Sequence, residues 1–170
     1  MKKIFLCLFI LFSLLLIMLC QKPDYSKQIG PIIDKYVGAW NGDSLTILDK
    51  IVDKNFQLRI VPTFEPSTGI KKLKEAITRT RTNFPDFKVT ETERLFVSDS
   101  AIVLRWIATG TYKGENEMPP TGIKVNVPGF SVIFFNEEKL TGEWIAYSDL
   151  TWYKQLGFTL VPPTIEKKEK

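Results

Sequence analysis

Glu143 and Arg105 are the side chains whose type and position first suggest chemistry. On an ideal strand Glu143 lies on the same side as Ile145 and Asp149, so a carboxyl pair with Asp149 is one interpretation. A surface position or a contact between subunits is the other interpretation of Glu143.

Arg105 stands among apolar residues, which gives it two possible partners. It could bind a carboxylate or ester oxygen of a ligand, or it could pair with a buried acid. Its neighbour Trp106 and the distant Trp144 are candidates for ligand platforms, although tryptophans more often fill a core.

The residue types that are missing narrow the chemistry. The chain of 170 residues has no histidine, and its two cysteines are Cys7 and Cys20 near the start. The remaining sequence therefore lacks the commonest general base, the commonest transition-metal ligand and any thiol. Carboxylates alone could still bind a metal, but no acidic spacing suggests such a site. The 23 basic residues stand against 19 acidic ones, a balance that argues against nucleic-acid binding.

The first twenty residues are typical of an export signal. Met1-Lys2-Lys3 is basic, residues 4–19 are almost wholly apolar, and Cys20 precedes a polar stretch. This order resembles a bacterial lipoprotein signal, which would be removed as residues 1–19 and leave lipidated Cys20. Leu19 departs from the small residue usual before that cysteine, so an uncleaved transmembrane anchor and an ordinary cleaved signal stay open. Each places residues 20–160 outside the cytoplasm, before a charged tail over 161–170.

The first half of the domain is predicted to be mainly helical. Apolar residues three and four apart predict a helix from Ile29 to Trp40, with Pro31 near its first turn. Asp43 or Ser44 can cap a short second helix over 45–52, and alternation predicts a strand over 56–60. A loop over 63–68 then leads to a third helix over 70–84, which Pro85 ends.

From Phe87 onward the sequence predicts strands. They cover 87–98, 101–109, 124–136 and 139–147, and a short helix follows over 150–156. In the second of these strands Leu104 and Trp106 lie on one side and Val103 and Ile107 on the other. Both sheet faces must then be covered, one by helices and the other by a partner subunit, so we expect a homodimer.

The segment Gly110–Gly129 carries the most specific pattern in the chain. It reads Gly-Thr-Tyr-Lys-Gly, then Pro-Pro-Thr-Gly, then Val-Pro-Gly. Asn83-Phe84-Pro85-Asp86 before it, and Glu143-Trp144, Asp149 and Gln155-Leu156-Gly157 after it, complete the pattern. In this order the motifs resemble the SnoaL-like polyketide (ester) cyclases of the NTF2-like superfamily. The resemblance implies an α+β cone with three N-terminal helices on a curved antiparallel sheet and a short C-terminal helix.

The resemblance also implies a function. Members of the family close a ring in a polyketide ester without metal or organic cofactor, and use a pocket aspartate as acid and base. Asp149 is the matching position, although its place before a helix also suits an N-cap. Tyr112 stands where many relatives have histidine, and it could donate a hydrogen bond to a developing enolate. The implied ligand-binding walls are Trp106, Tyr112, Phe134, Trp144 and Tyr147.

Three functions therefore remain open at the level of sequence. The first is a cofactor-free cyclase or isomerase acting on a small hydrophobic carbonyl or ester compound. The second is an exported module that binds such a ligand without turnover. The third is a dimerisation domain whose own side chains fill the cone, and the presence or absence of a cavity separates it from the other two.

Overall fold

The computed structural model describes residues 25–61, 65–114 and 121–161. Its first helix, α1, runs over Tyr25–Trp40 and buries apolar side chains along one face, which confirms the predicted amphipathic helix. Because α1 begins at Tyr25, Pro31 lies inside it and not in its first turn. Cys20 and the rest of the N-terminal segment lie outside the described residues, as does most of the charged tail.

The second predicted helix is shorter than its periodicity indicates. A 3-10 turn over Leu45–Ile47 leads into the single turn α2, Leu48–Ile51. The Ser44 hydroxyl accepts a hydrogen bond from the Thr46 backbone N–H, so Ser44 is the cap. Val52 begins a strand and does not extend the helix. The third helix, α3, covers Ile70–Asn83 and stops before Pro85, as predicted.

Six strands form one sheet, and its longest strands match the predicted positions. Their bounds are β1 Val52–Ile60, β2 Ser67–Thr68, β3 Lys88–Phe96, β4 Ala101–Thr111, β5 Lys124–Asn136 and β6 Lys139–Tyr147. The strand order is β2-β1-β6-β5-β4-β3. The stretch predicted as a loop over 63–68 thus contributes β2, while residues 62–64 lie outside the described residues.

The sheet is mixed, so the prediction of a wholly antiparallel sheet is wrong in one place. The β3–β6 meander is antiparallel throughout, but β1 runs parallel to β6. Between β1 and β6 the chain forms β2, α3 and the strands β3, β4 and β5. This long connection allows β6 to run parallel to β1. Register shifts within three of the strand pairs accompany the curvature of the sheet.

The last helix, α4, spans Asp149–Gln155 and is fixed to the sheet through its final residue. The Gln155 side chain accepts a hydrogen bond of 2.6 Å from the Asn126 backbone N–H and donates one of 2.9 Å to the Asn126 carbonyl. Gly157 ends the helix with a φ of 97°, a conformation that glycine adopts without strain. This clamp holds α4 over β5.

The helices cover one face of the sheet, as expected, while the partner subunit expected on the other face stays a prediction. Leu104 and Trp106 are buried beneath the helices, while Val103 and Ile107 lie on the opposite, outer face and are half-buried. Within the described part of the chain, no helix is both long and apolar enough to cross a membrane.

Candidate functional site

A cavity of about 470 Å³ lies between the inner face of the sheet and the helices α1, α3 and α4. The volume is within the range of small-molecule sites. Among the described residues that line it, Glu143 is the one acid and Arg79 is the one base. Most of the others are apolar or aromatic, and they include Trp40, Phe84, Phe87, Leu104, Trp106, Tyr112, Ile145, Tyr147 and Trp152.

Glu143 is the buried acid of the cavity. The alternation of β6 turns Glu143, Ile145 and Tyr147 toward the cavity and Trp144 away from it. Glu143 is only 4% exposed, so the interpretation of it as a surface or subunit-contact residue is wrong. The sequence held a signal for this burial, because Glu143 is two residues from the apolar Ile145 and therefore lies on the same side of the strand.

Two hydroxyl groups hold the Glu143 carboxylate. The Tyr36 hydroxyl donates a hydrogen bond of 2.5 Å to Glu143 Oε2, and Ser131 provides a second side-chain hydrogen bond to Glu143. Ser131 Oγ in turn accepts a hydrogen bond of 3.0 Å from Trp106 Nε1. The indole therefore fixes the serine, and the serine and tyrosine orient the carboxylate.

Burial controls the protonation of this pair. Desolvation raises the pKa of Glu143, and the hydrogen bonds from Tyr36 and Ser131 oppose that rise. Burial, followed by the negative charge of Glu143, raises the pKa of Tyr36 well above 10.0. No ion pair involves Glu143 within the described ranges, and a buried carboxyl without a cation keeps its proton to higher pH. Tyr36 thus remains a donor, and Glu143 can both hold and release a proton.

Asp149 lies beside the cavity but does not line it. It is the first residue of α4 and is half-buried. The helix cap is Ser148, whose side chain accepts a hydrogen bond from the Thr151 backbone N–H, so the interpretation of Asp149 as the N-cap is wrong. Asp149 instead hydrogen-bonds to Tyr147, a cavity residue whose pKa burial and the Asp149 charge raise to about 12. The predicted catalytic role of Asp149 stays a prediction.

Three of the five predicted aromatic walls do line the cavity, namely Trp106, Tyr112 and Tyr147. The Trp106 indole packs against Gly129, where an added Cβ would stand 2.2 Å from the ring. Tyr112 is 4% exposed and meets Phe84 edge to face, with ring centroids 5.3 Å apart. Tyr112 therefore forms part of a packed wall, and the enolate contact predicted for it remains to be tested.

The other three predicted ligand contacts lie on the outer face of the sheet. Arg105 Nη1 pairs with Glu93 Oε2 at 2.8 Å, and both side chains are exposed, so neither a cavity ligand nor a buried acid is its partner. Phe134 and Trp144 pack on each other with ring centroids 5.5 Å apart, and neither lines the cavity. The two-residue period of the strands directs all three away from it.

The sequence analysis missed Tyr36, Ser131 and Arg79. Tyr36 belongs to the apolar face of α1, which looks like ordinary core. Arg79 belongs to a basic helix whose charges look like a solvated face. Ser131 carried a signal, because it is a polar residue in the apolar strand β5 and is 1% exposed.

A second, open depression of about 720 Å³ lies along α3. Exposed polar residues dominate its lining, and its Asp49 pairs with Lys74 at 2.7 Å. It contains no buried acid comparable to Glu143. Over the described ranges, no group of three or more side chains is placed to hold a metal ion.

Comparison with solved structures identifies the fold. A proposed polyketide cyclase from Acidithiobacillus ferrooxidans is 24% identical, with a TM-score of 0.67 over 76% of this chain and 94% of that one. IdmH from Streptomyces antibioticus, also a proposed polyketide cyclase, is 20% identical, with a TM-score of 0.68 over 77% and 99%. A SnoaL-like protein from Jannaschia sp. CCS1 is 15% identical, with a TM-score of 0.72 over 84% and 99%. These likenesses establish the NTF2-like α+β fold.

Comparison of the amino-acid sequence with family models identifies the family. No functionally curated protein matches it significantly, but the model of the SnoaL-like polyketide cyclases matches residues 31–156. That range contains α1 from Pro31 onward, the whole sheet, α4 and every described cavity-lining residue except Phe158. The chain therefore belongs to the SnoaL-like polyketide cyclase family.

Proposed function

We propose that this domain binds a small hydrophobic carbonyl or ester compound in its cavity and catalyses its cyclisation or isomerisation without a cofactor. Glu143 is the acid and base in this proposal. One observation carries it: a buried carboxyl group, unpaired by any cation of the described residues, is held between two hydroxyl donors in the wall of an aromatic cavity.

The proposed chemistry is a proton transfer next to a carbonyl group. Glu143 takes a proton from the carbon beside the carbonyl, which leaves an enolate in the cavity. Return of that proton to a different carbon isomerises the compound. Attack of the enolate on a second carbonyl instead closes a ring by a new carbon–carbon bond, and Glu143 then returns its proton to the alkoxide that forms. Tyr112 is the proposed hydrogen-bond donor to the enolate oxygen. The aromatic walls exclude water, which strengthens these polar interactions.

A model ketone tests the proposal before the natural substrate is known. We expect the protein to accelerate exchange of the α-hydrogens of 1-(2-naphthyl)propan-2-one in D2O, followed by proton NMR. Glu143→Gln should lower that rate by about 100-fold or more, the usual size of a general-base effect, while tryptophan fluorescence still reports ketone binding. An unchanged exchange rate in this variant would refute the assignment.

The same experiment decides between enzyme and binding module. If the ketone binds to the wild-type protein and the exchange rate equals that in buffer, the non-catalytic ligand-binding function is favoured. The cavity itself argues against a cone filled by its own side chains.

We also propose that the protein is exported, carries lipid on Cys20 and forms a homodimer. The sequence of residues 1–20 supports the first two parts. The exposed apolar side chains Phe130 and Trp144 on the outer sheet face support the third. In a bacterial host, Cys20→Ser should move the protein out of the detergent-phase lipoprotein fraction. Equal partitioning of both forms would count against lipidation.

A further inference from the structure

Arg79 is a positively charged residue of the cavity lining, and the proposed chemistry gives it no role. Glu143 and Tyr36 are buried lining residues, whereas Arg79, Tyr153 and Phe158 are exposed ones. We call these three exposed residues the mouth. The one acid of the described lining is thus buried, and its one base is exposed at the mouth.

Arg79 has no partner among the described residues, although its charged neighbours do. Glu75, one turn earlier on α3, pairs with Lys72 at 3.2 Å. Lys74 pairs with Asp49 at 2.7 Å, and Arg81 donates hydrogen bonds to the backbone carbonyls of Ala39 and Asp43. The Arg79 guanidinium therefore keeps its full set of donors for another molecule.

The surroundings of Arg79 suit an amphipathic ligand. Asn83 lies one helical turn further along α3 and also lines the cavity, as does Thr80. Tyr153 and Phe158 meet edge to face with ring centroids 5.3 Å apart, and each remains about half exposed. The mouth thus offers apolar surface beside hydrogen-bond donors.

We propose that the substrate carries one carboxylate at the end remote from its reacting carbonyl, and that Arg79 binds this carboxylate at the mouth. A guanidinium matches the two oxygens of a carboxylate, and the Asn83 amide can donate a further hydrogen bond. A single cation fits a monoanion better than a doubly charged phosphate.

This inference rests on the proposed function for the position of the carbonyl group, but its test needs binding alone. The probes are 2-naphthylacetate and the neutral 2-naphthylacetamide, titrated calorimetrically into the purified full-length protein. Arg79→Gln should weaken acetate binding by about three- to tenfold, a range that allows for solvent screening at an exposed site. Amide binding should stay within about twofold of wild type.

Lys72→Gln is the matched control, because Lys72 is an exposed base on the same helix and does not line the cavity. It should leave the binding of both probes unchanged, which separates a local contact from a general loss of positive charge. Failure of the acetate to bind wild-type protein would overturn the inference, as would an equal effect of Arg79→Gln on both probes. Loss of ketone exchange in Glu143→Gln tests the proposed function separately, so the two can fail independently.

Discussion

At Glu143 two opposing effects decide the protonation state. Burial disfavours the carboxylate, while the Tyr36 and Ser131 hydrogen bonds favour it, and burial dominates. A carboxyl group with a raised pKa is a stronger base once it is ionised and a usable acid when it is not. The residue therefore has the properties that the resemblance implies for Asp149, but it belongs to β6 and lines the cavity, whereas Asp149 does not.

The raised pKa of Glu143 should appear in the stability of the protein. The folded state holds this proton more tightly than the unfolded state, in which Glu143 has its ordinary pKa near 4.5. Stability is therefore full below that pH and falls as the pH rises through the raised value. We expect the melting temperature of wild type to fall relative to that of Glu143→Gln over this range. Parallel melting curves for both proteins would contradict the burial argument.

Tyr36→Phe should shift the activity profile and not simply abolish activity. The Tyr36 hydrogen bond lowers the pKa of Glu143, so its removal should raise that pKa further. The pH midpoint of ketone exchange should move upward, and NMR exchange rates across pH measure it. Tyr25→Phe is the control, because Tyr25 packs on Phe135 and does not line the cavity. A midpoint that stays in place would show that Tyr36 does not influence the reacting group.

At the scale of elements, the sequence predicted most segments but not the partner of β1. Local periodicity predicted the bounds of α1, α3, β5 and β6 closely, because the spacing of apolar residues in each element reflects which of its faces is buried. Parallel pairing of β1 with β6 joins segments far apart in sequence, and no local pattern encodes it. The short β2 exists only because β1 offers it backbone partners.

The same limit explains why only part of the site was predictable. Both sides of β4 are apolar, so alternation alone does not tell which side faces the helices. Arg105 and Trp106 are neighbours in sequence but lie on opposite faces of the sheet. Arg105 is on the outer face, and Trp106 lines the cavity. The choice depends on α1, which supplies Tyr36 to the cavity and covers that face of the sheet.

Gly129 tests whether the sheet shapes the cavity. A methyl group there would come within 2.2 Å of the Trp106 indole, so Gly129→Ala must displace that ring and disturb its bond to Ser131. We expect a loss of about 1–3 kcal/mol in the free energy of unfolding, typical of overpacking, together with weaker ketone binding. Denaturant titration and fluorescence measure the two effects.

Gly30→Ala is the control for this change, because Gly30 lies in α1 and an added Cβ would come no closer than 3.7 Å to another group, Nη1 of Arg94. It should leave ketone binding unchanged and should not reduce stability, since alanine favours a helix over glycine. If Gly129→Ala bound the ketone as tightly as wild type, Trp106 would be able to move without weakening binding, and the sheet would not fix its position in the cavity wall.

At the scale of the whole molecule, the outer sheet face is the surface left to explain. Phe130 is 47% exposed and Trp144 is 45% exposed, and the Arg59 guanidinium lies 5.3 Å from the centroid of the Trp144 ring. The resemblance implied a ligand-site position for Trp144, though not for Phe130. Their position on the outer face instead makes them candidates for the contact between two copies.

Trp144→Glu should therefore dissociate the proposed dimer. The substituted carboxylates would face one another across the contact, and burying unpaired charges is unfavourable. Light scattering during size-exclusion chromatography should give twice the chain mass for wild type and the chain mass for the variant. Circular dichroism should show an unchanged fold, because the residue is half exposed. A monomeric wild type would refute the dimer.

The most direct test of the account compares the two carboxyl groups in the ketone exchange assay. Glu143→Gln and Asp149→Asn each neutralise one acid with little change of shape, at positions inside the cavity and beside it. We predict that Glu143→Gln lowers the exchange rate by about 100-fold or more. Asp149→Asn should lower it by no more than about tenfold, because Asp149 contacts the cavity residue Tyr147 but does not line the cavity itself. Loss of exchange in Asp149→Asn with full exchange in Glu143→Gln would contradict the account.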